Sequence, residues 1–239
     1  MLVKKIVLYF GFLGLMIPVY AQNGTSAMLI DRINLIKSDH DYIQNQRERY
    51  KKIDGTPYLD EEFSKGSLSL GGRQYTKLDL RYNIYEEHFE FMDEEVVKYI
   101  DPRRTRVDTV WLKGDTYLYV SFQAGKQVKL TYMKMVRGEG TRVLLYHKMI
   151  MTQPEETQAF QEAKPARFNR QQDLIFIQPS GSHAIEFKGK KSLEELFPEY
   201  HHQLSEYVKS EKLRLKKLDD IVKLCNYYDS VKKVNNSIL

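Results

Sequence analysis

The sequence predicts an α+β fold that is mainly β: a curled or partly closed antiparallel sheet of about nine or ten strands with C-terminal helices packed on it. Three observations predict it. From Gly66 to Met151 apolar and polar residues alternate with period two between short polar or Gly-containing breaks, the pattern of antiparallel strands joined by hairpins. After residue 192 the apolar spacing becomes that of an amphipathic helix. The aromatic content is 17 Tyr and 11 Phe against 1 Trp, a bias that suits half-exposed strands whose phenols keep a buried ring and a wet hydroxyl.

The first element is a segment for export. Lys4 and Lys5 precede an apolar run from Ile6 to Val19, and Val19-Tyr20-Ala21 supplies small residues at the third and first positions before a cut. A membrane-spanning helix needs about 20 apolar residues, so this shorter run reads as a signal peptide over residues 1–21. An uncleaved N-terminal anchor is the alternative. No Cys stands at the cleavage point, so the mature chain is expected to be exported to the periplasm or beyond, without a lipid on its N-terminus and without a membrane span. Residues 22–239 are then expected to form a single domain, with a β-rich core over 66–188 and helices over 192–230. Residues 22–52 are ambiguous between a short helix and a strand, followed by a charged continuation.

In the central region Leu78, Leu80, Tyr82 and Ile84 alternate with Lys77, Asp79, Arg81 and Asn83, giving one dry and one wet face. Further strands are expected at 88–92, 96–100, 107–112, 117–122, 129–136 and 142–151, and a last pair at 173–178 and 183–187. Turns fall at Gly71-Gly72, Gly114-Asp115, Ala124-Gly125 and Gly138-Glu139-Gly140. Residues 152–170 read as a long polar loop. One helix is expected over 192–209, with Ser192 as N-cap and Glu195 completing a capping box, and a second from Leu215 to about Ser230. Cys225 falls on the apolar face of that second helix with Leu218, Ile221 and Val222, and being alone it is a buried apolar residue with no disulfide partner.

Gly55-Thr56-Pro57-Tyr58-Leu59, Phe63 and Gly66, then Leu80-Arg81-Tyr82-Asn83-Ile84-Tyr85, and finally Lys216-Lys217-Leu218-Asp219-Asp220-Ile221-Val222 with Tyr227 and Tyr228 form a pattern. It resembles one recurring in exported proteins of unknown function from Bacteroidetes-type bacteria. The resemblance implies lineage, compartment and a single domain. It implies no activity and no site residue.

Composition and motifs exclude more than they assign. With 42% hydrophobic and 29% charged residues, 13 Gly, 7 Pro and 1 Cys, the chain is not collagen-like, disulfide-built or low-complexity. A formal charge of +5, spread along the chain, leaves no nucleic-acid footprint. His40, His88, His147, His183, His201 and His202 have no metal-ligand spacing. Ser182 beside His183 carries no catalytic information, because a nucleophile and its base meet through the fold. The acids of Asp60-Glu61-Glu62, Glu86-Glu87 with Glu90, and Asp93-Glu94-Glu95 read as solvated turns, and Asp54, Asp60 and Glu62 lack a Ca²⁺-loop pattern. Arg103, Arg104 and Arg106, and Lys212, Arg214, Lys216 and Lys217, read as solvated basic faces that could meet an anionic surface. Asp108-Thr109-Val110 and Asp229-Ser230-Val231 resemble the short O-glycan acceptor triplet of exported proteins in these bacteria.

No catalytic, cofactor or metal residue is therefore assigned, and no cofactor is expected. Three functional classes stay open: a noncatalytic envelope binding or interaction module; a lipid or lipoprotein carrier with an apolar groove; and an enzyme whose site is assembled from scattered residues. The expected partner is an envelope protein, a glycan or a lipid.

Overall fold

The computed structural model describes residues 23–24, 48, 50–93, 95–101, 107–154 and 164–236. Residues 1–21, expected to be a signal peptide, most of residues 22–52, and Arg103, Arg104 and Arg106 lie outside them. The strands are β1 (Asn23–Gly24), β2 (Ser64–Leu70), β3 (Arg73–Asn83), β4 (His88–Asp93), β5 (Val96–Ile100), β6 (Val107–Leu112), β7 (Asp115–Ala124), β8 (Gln127–Arg137), β9 (Arg142–Tyr146), β10 (Met149–Thr152), β11 (Arg167–Arg170), β12 (Leu174–Gln178) and β13 (Ile185–Glu186). The helices are α1 (Lys191–Leu196), α2 (His201–Ser210) and α3 (Leu218–Asn236).

Ten strands form one antiparallel path in the order β13-β12-β9-β8-β7-β6-β2-β3-β4-β5, and β1 adds to β3 in parallel. The mainly β, antiparallel expectation is met. Gly71 and Gly72 take positive φ, 56° and 77°, at the tight turn between β2 and β3, where a Cβ would be strained. The path then curls on itself. Just before β13, Ala184 donates to Ser121 O and accepts from Gln123 N–H of β7, both at 2.9 Å. The far edge of the sheet thus returns to its own middle, and the sheet is partly closed.

The alternation decides which residues fill the curl. Leu68, Tyr75, Leu80, Tyr82, Phe89, Phe91 and Tyr132 are buried in one cluster. There Tyr82 stacks on Phe89 with ring centroids 4.5 Å apart, a contact worth about 0.5–1.5 kcal/mol beyond its burial. A second cluster carries the helices. Leu204 and Val208 of α2 and Ile221, Leu224, Cys225 and Tyr228 of α3 pack with Val143 of β9 and Ile177 of β12. A polar clamp fixes the same seam: Asp229 of α3 accepts from Thr141 N–H at 3.0 Å and Thr141 Oγ1 at 2.8 Å, and pairs with Arg137 at 2.7 Å.

Five expectations require correction. The strand expected over 142–151 breaks at His147-Lys148, because His147 turns into the interior and Lys148 O accepts from Gln171 N–H. Beyond the break, β10 leaves the main sheet and pairs with β11 inside the segment read as a loop. The helix expected over 192–209 is two helices. Pro198, which offers no N–H to a helical ladder, stands in the turn between them. Ser192 is no N-cap either: α1 starts at Lys191, and Ser192 Oγ instead accepts from Lys188 N–H at 2.8 Å. The last helix begins at Leu218 and runs to Asn236, past the end expected near Ser230; Lys232 lies over the Tyr228 ring within that extra length.

Candidate binding cleft

The first two stretches that carried the resemblance meet in space as a structural clamp. The chain through Pro57 and Leu59 lies along the end of β3: Leu59 N–H donates to Tyr82 O, and Ile84 N–H donates to Pro57 O. Beneath it Arg81 is buried between the rings of Tyr58 and Phe63, 3.7 and 4.4 Å from their centroids. Its Nε and Nη2 donate to Glu90 at 2.8 and 2.5 Å, and its Nη1 donates to Glu61 O. Burial opposes ionisation of Glu90, but His88 and Arg81 outweigh it and hold the carboxyl below its usual range. His88 Nε2 stands 3.5 Å from Glu90 Oε1.

A second buried group sits where the strand breaks. His147 Nδ1 donates to Asp173 Oδ2 at 3.0 Å, and Arg170 Nη2 meets Asp173 Oδ1 at 2.5 Å. Burial and the Arg170 charge push the imidazole below its usual range against the pull of Asp173, so the ring is neutral near pH 7. Both groups tie strands together through their ion pairs, while His88 Nε2 and His147 Nε2 are buried without a hydrogen-bond partner among the described residues.

An open cleft of about 580 Å³ lies elsewhere, between the β7–β8 hairpin, β9, β12 and α1. Its floor follows from strand alternation. Phe122 of β7, Tyr146 of β9 and Leu174 and Phe176 of β12 project to one side of the curled sheet, and the Phe122 and Phe176 rings meet edge-on at 5.4 Å. Ile185 completes the floor, and Leu130, 55% exposed, forms its lip. Lys129, Lys148, Lys188 and Lys191 rim it, with Glu87, Glu186 and Glu195. Two of those acids are engaged: Glu186 pairs with Lys188 at 3.0 Å, and Glu87 accepts from the Tyr146 hydroxyl. Burial and the Glu87 charge push that phenol well above its usual range. Among the described residues Lys129, Lys148 and Lys191 have no ion-pair partner.

Another cavity, of about 510 Å³, opens between β12, β13 and the α2–α3 connection. Its apolar walls, among them Ile175, Phe187, Val208 and Leu213, belong to the cluster that seats the helices. It is the margin of a packing seam.

The remaining sequence candidates are scattered. Asp60 pairs with Lys113, and Glu62 N–H donates to Asp60 Oδ1. Among the described residues no three His, Cys, Asp or Glu side chains are grouped to hold a metal ion. His201 contacts Pro198 O, and His202 lies 3.8 Å from Glu206 on an exposed helix face. Lys212, Arg214, Lys216 and Lys217 are exposed at the α2–α3 turn. Thr109 is half-buried in β6, and Ser230 donates to Tyr227 O within α3. Ser121 Oγ lies 2.7 Å from His183 Nδ1, a pair no spacing could reveal because 62 residues separate them. Among the described residues no carboxylate orients that imidazole, and the pair stands outside the cleft lining. No helix among the described residues is long and apolar enough to cross a membrane. Comparison with protein-family models, with curated proteins and with solved structures finds no match.

Proposed function

We propose that the chain is an exported, noncatalytic binding or interaction module of the envelope, that residues 22–239 act as one domain after removal of residues 1–21, and that the ligand sits in the 580 Å³ cleft. The carrying observation is the coincidence of an apolar floor with three lysines that have no partner among the described residues. Ligand sites are concave, mostly apolar and furnished with a few converging polar groups. A core that filled this space would have used the floor for packing, and a solvated face would not have gathered rings there. The export reading rests on the n-region, apolar run and Val19-Tyr20-Ala21. The resemblance to exported Bacteroidetes-type proteins agrees with it. A lipid or lipoprotein carrier is the second reading, favoured by the aromatic and aliphatic floor.

Native mass spectrometry of the protein taken from its own envelope tests both. The expected spectrum is the mass of residues 22–239 plus a bound mass that is lost on denaturation. A bare polypeptide would overturn the binding reading, and a mass retaining residues 1–21 would overturn the processing. For the carrier reading, labelled lipid should move between vesicles faster with the protein than without it.

A further inference from the structure

Within that binding reading, on which this step rests, we infer that the cleft takes an anionic amphiphile, an alkyl chain ending in a carboxylate or phosphate. The floor and the rim ask for different things. Phe122 and Tyr146, each half-buried, lie against the buried Phe176 ring, with ring centroids 5.4 to 6.3 Å apart. Leu130 extends that surface into solvent. Leaving the exposed parts of Phe122, Tyr146 and Leu130 open is unfavourable at roughly 25 cal/mol per Å², and an alkyl chain laid on them recovers that term. The rim is charged. With Glu186 held by Lys188, Lys129, Lys148 and Lys191 face Glu195 and Glu87, whose charge the hydrogen bond from the neutral Tyr146 hydroxyl leaves in place, so the rim keeps an excess of one positive charge.

Register places that charge at the end of the floor. Lys129 is directly opposite Phe122 across the β7–β8 ladder, so its ammonium reaches over the edge of the aromatic surface. Lys191 opens α1 on the other side of the cleft. A neutral alkane leaves the lysines unused, and a small inorganic anion leaves the floor unused. One molecule with both parts uses both.

Titration calorimetry of the intact protein with dodecanoate, dodecyl phosphate, dodecanol, acetate and inorganic phosphate tests this. Both anionic amphiphiles should bind, dodecanol should bind roughly tenfold more weakly, and acetate and phosphate should give no heat, since hydrogen bonds to a charged group contribute about a factor of ten or more. The stronger of the two anions identifies the headgroup, a fatty acid or a phosphate-bearing lipid. The combined Lys129→Gln, Lys148→Gln, Lys191→Gln variant should lose about tenfold for dodecanoate and nothing for dodecanol. Leu130→Ser, at an exposed position, should weaken all three alkyl ligands while leaving the melting temperature unchanged. Equal binding of dodecanol and dodecanoate, undiminished dodecanoate binding by the triple variant, or no binding of any amphiphile would overturn the inference. If alkyl ligands bind but Leu130→Ser has no effect on them, the cleft itself is the wrong place; if Leu130→Ser weakens them while the lysine variant does not, the cleft stands and only the charge assignment falls.

Discussion

Replacing Asp229 with Ala should detach the last helix from the sheet. The carboxylate receives two hydrogen bonds from Thr141 and one ion pair from Arg137, with side chains 15% and 13% exposed. Hydrogen bonds to a charged group are each worth about 1.5–3 kcal/mol, and breaking a buried pair costs roughly 3–5 kcal/mol. Arg137 is not orphaned by the change, because its Nε still donates to Asn226 and its Nη1 to Thr141 O. The lower end therefore applies, about 3 kcal/mol out of a total of roughly 5–15. For a chain of this size that lowers the melting temperature by roughly 6–12 °C. Gly140 supplies an internal control. Its φ is +60°, and a Cβ there would press into the Asp229 carboxylate, so Gly140→Ala should also destabilise. In the Asp229→Ala background it should cost less, because the clash is gone and only the backbone strain stays. Thermal unfolding followed by circular dichroism reads all four proteins. A shift below about 2 °C for Asp229→Ala, or strict additivity with Gly140→Ala, would refute the clamp.

Cys225, whose thiol burial pushes up to about 12, should resist native labelling by a thiol reagent and react at once in denaturant; equal rates would contradict its burial. Because its folded value lies above the unfolded one, its contribution is complete below about pH 8.5 and is lost as pH rises toward the folded value, so Cys225→Ala should lose less stability than the parent in urea melts above pH 9. On the acid side the signs reverse. Glu90 and His147 both have lowered values in the fold, so their contributions are complete above about pH 6.5 and fade as pH falls, His147 first and Glu90 below about pH 4.3. A stability profile flat from pH 7 to 3 would contradict both assignments. Arg81→Met should cost about 3–5 kcal/mol by leaving Glu90 buried and unpaired, measurable in urea unfolding, and Arg81→Met with Glu90→Met should recover much of it. Failure of that recovery would show that the stacking on Tyr58 and Phe63, not the ion pair, carries the stability.

Where a side chain's burial follows from its own neighbours in sequence, the fold was legible. Leu78, Leu80 and Tyr82 alternate and are buried as alternation requires, whereas Arg81 and Asn83, read as the wet face, and Glu90, read as part of a solvated turn, are buried as well because the chain through Tyr58 and Phe63 covers that face; Ile221 and Cys225 sit on one helix face and are fully buried. Legibility failed where a distant residue decided. Nothing around His147 announces Asp173 and Arg170, which turn its ring inward and end β9. The four residues Arg167–Arg170 of β11 look like loop, and they are a strand because β10 is there to pair with. Ser192 has the right neighbours for a cap, yet the chain from β13 brings Lys188 N–H to its hydroxyl first. The cleft was illegible for the same reason. Phe122, Lys129, Tyr146, Phe176 and Lys191 come from four strands and a helix, brought together by long-range strand pairing and by the curl that returns Ala184 to β7. Each taken alone is an ordinary strand or surface residue. The motifs that stood out in sequence, around Arg81 and in the last helix, hold the architecture instead.

The cleft reading is tested most directly by lysine footprinting of protein purified from its native source, before and after denaturation and refolding strip whatever is bound. Brief reductive methylation read by peptide mass spectrometry reports each ammonium separately. Lys129, Lys148 and Lys191 should be protected before stripping and reactive after it, while the exposed Lys212, Lys216 and Lys217 at the α2–α3 connection should react alike in both. Identical labelling of the cleft lysines in the two preparations, or protection confined to the α2–α3 connection, would contradict the assignment of the cleft as the place where this protein binds.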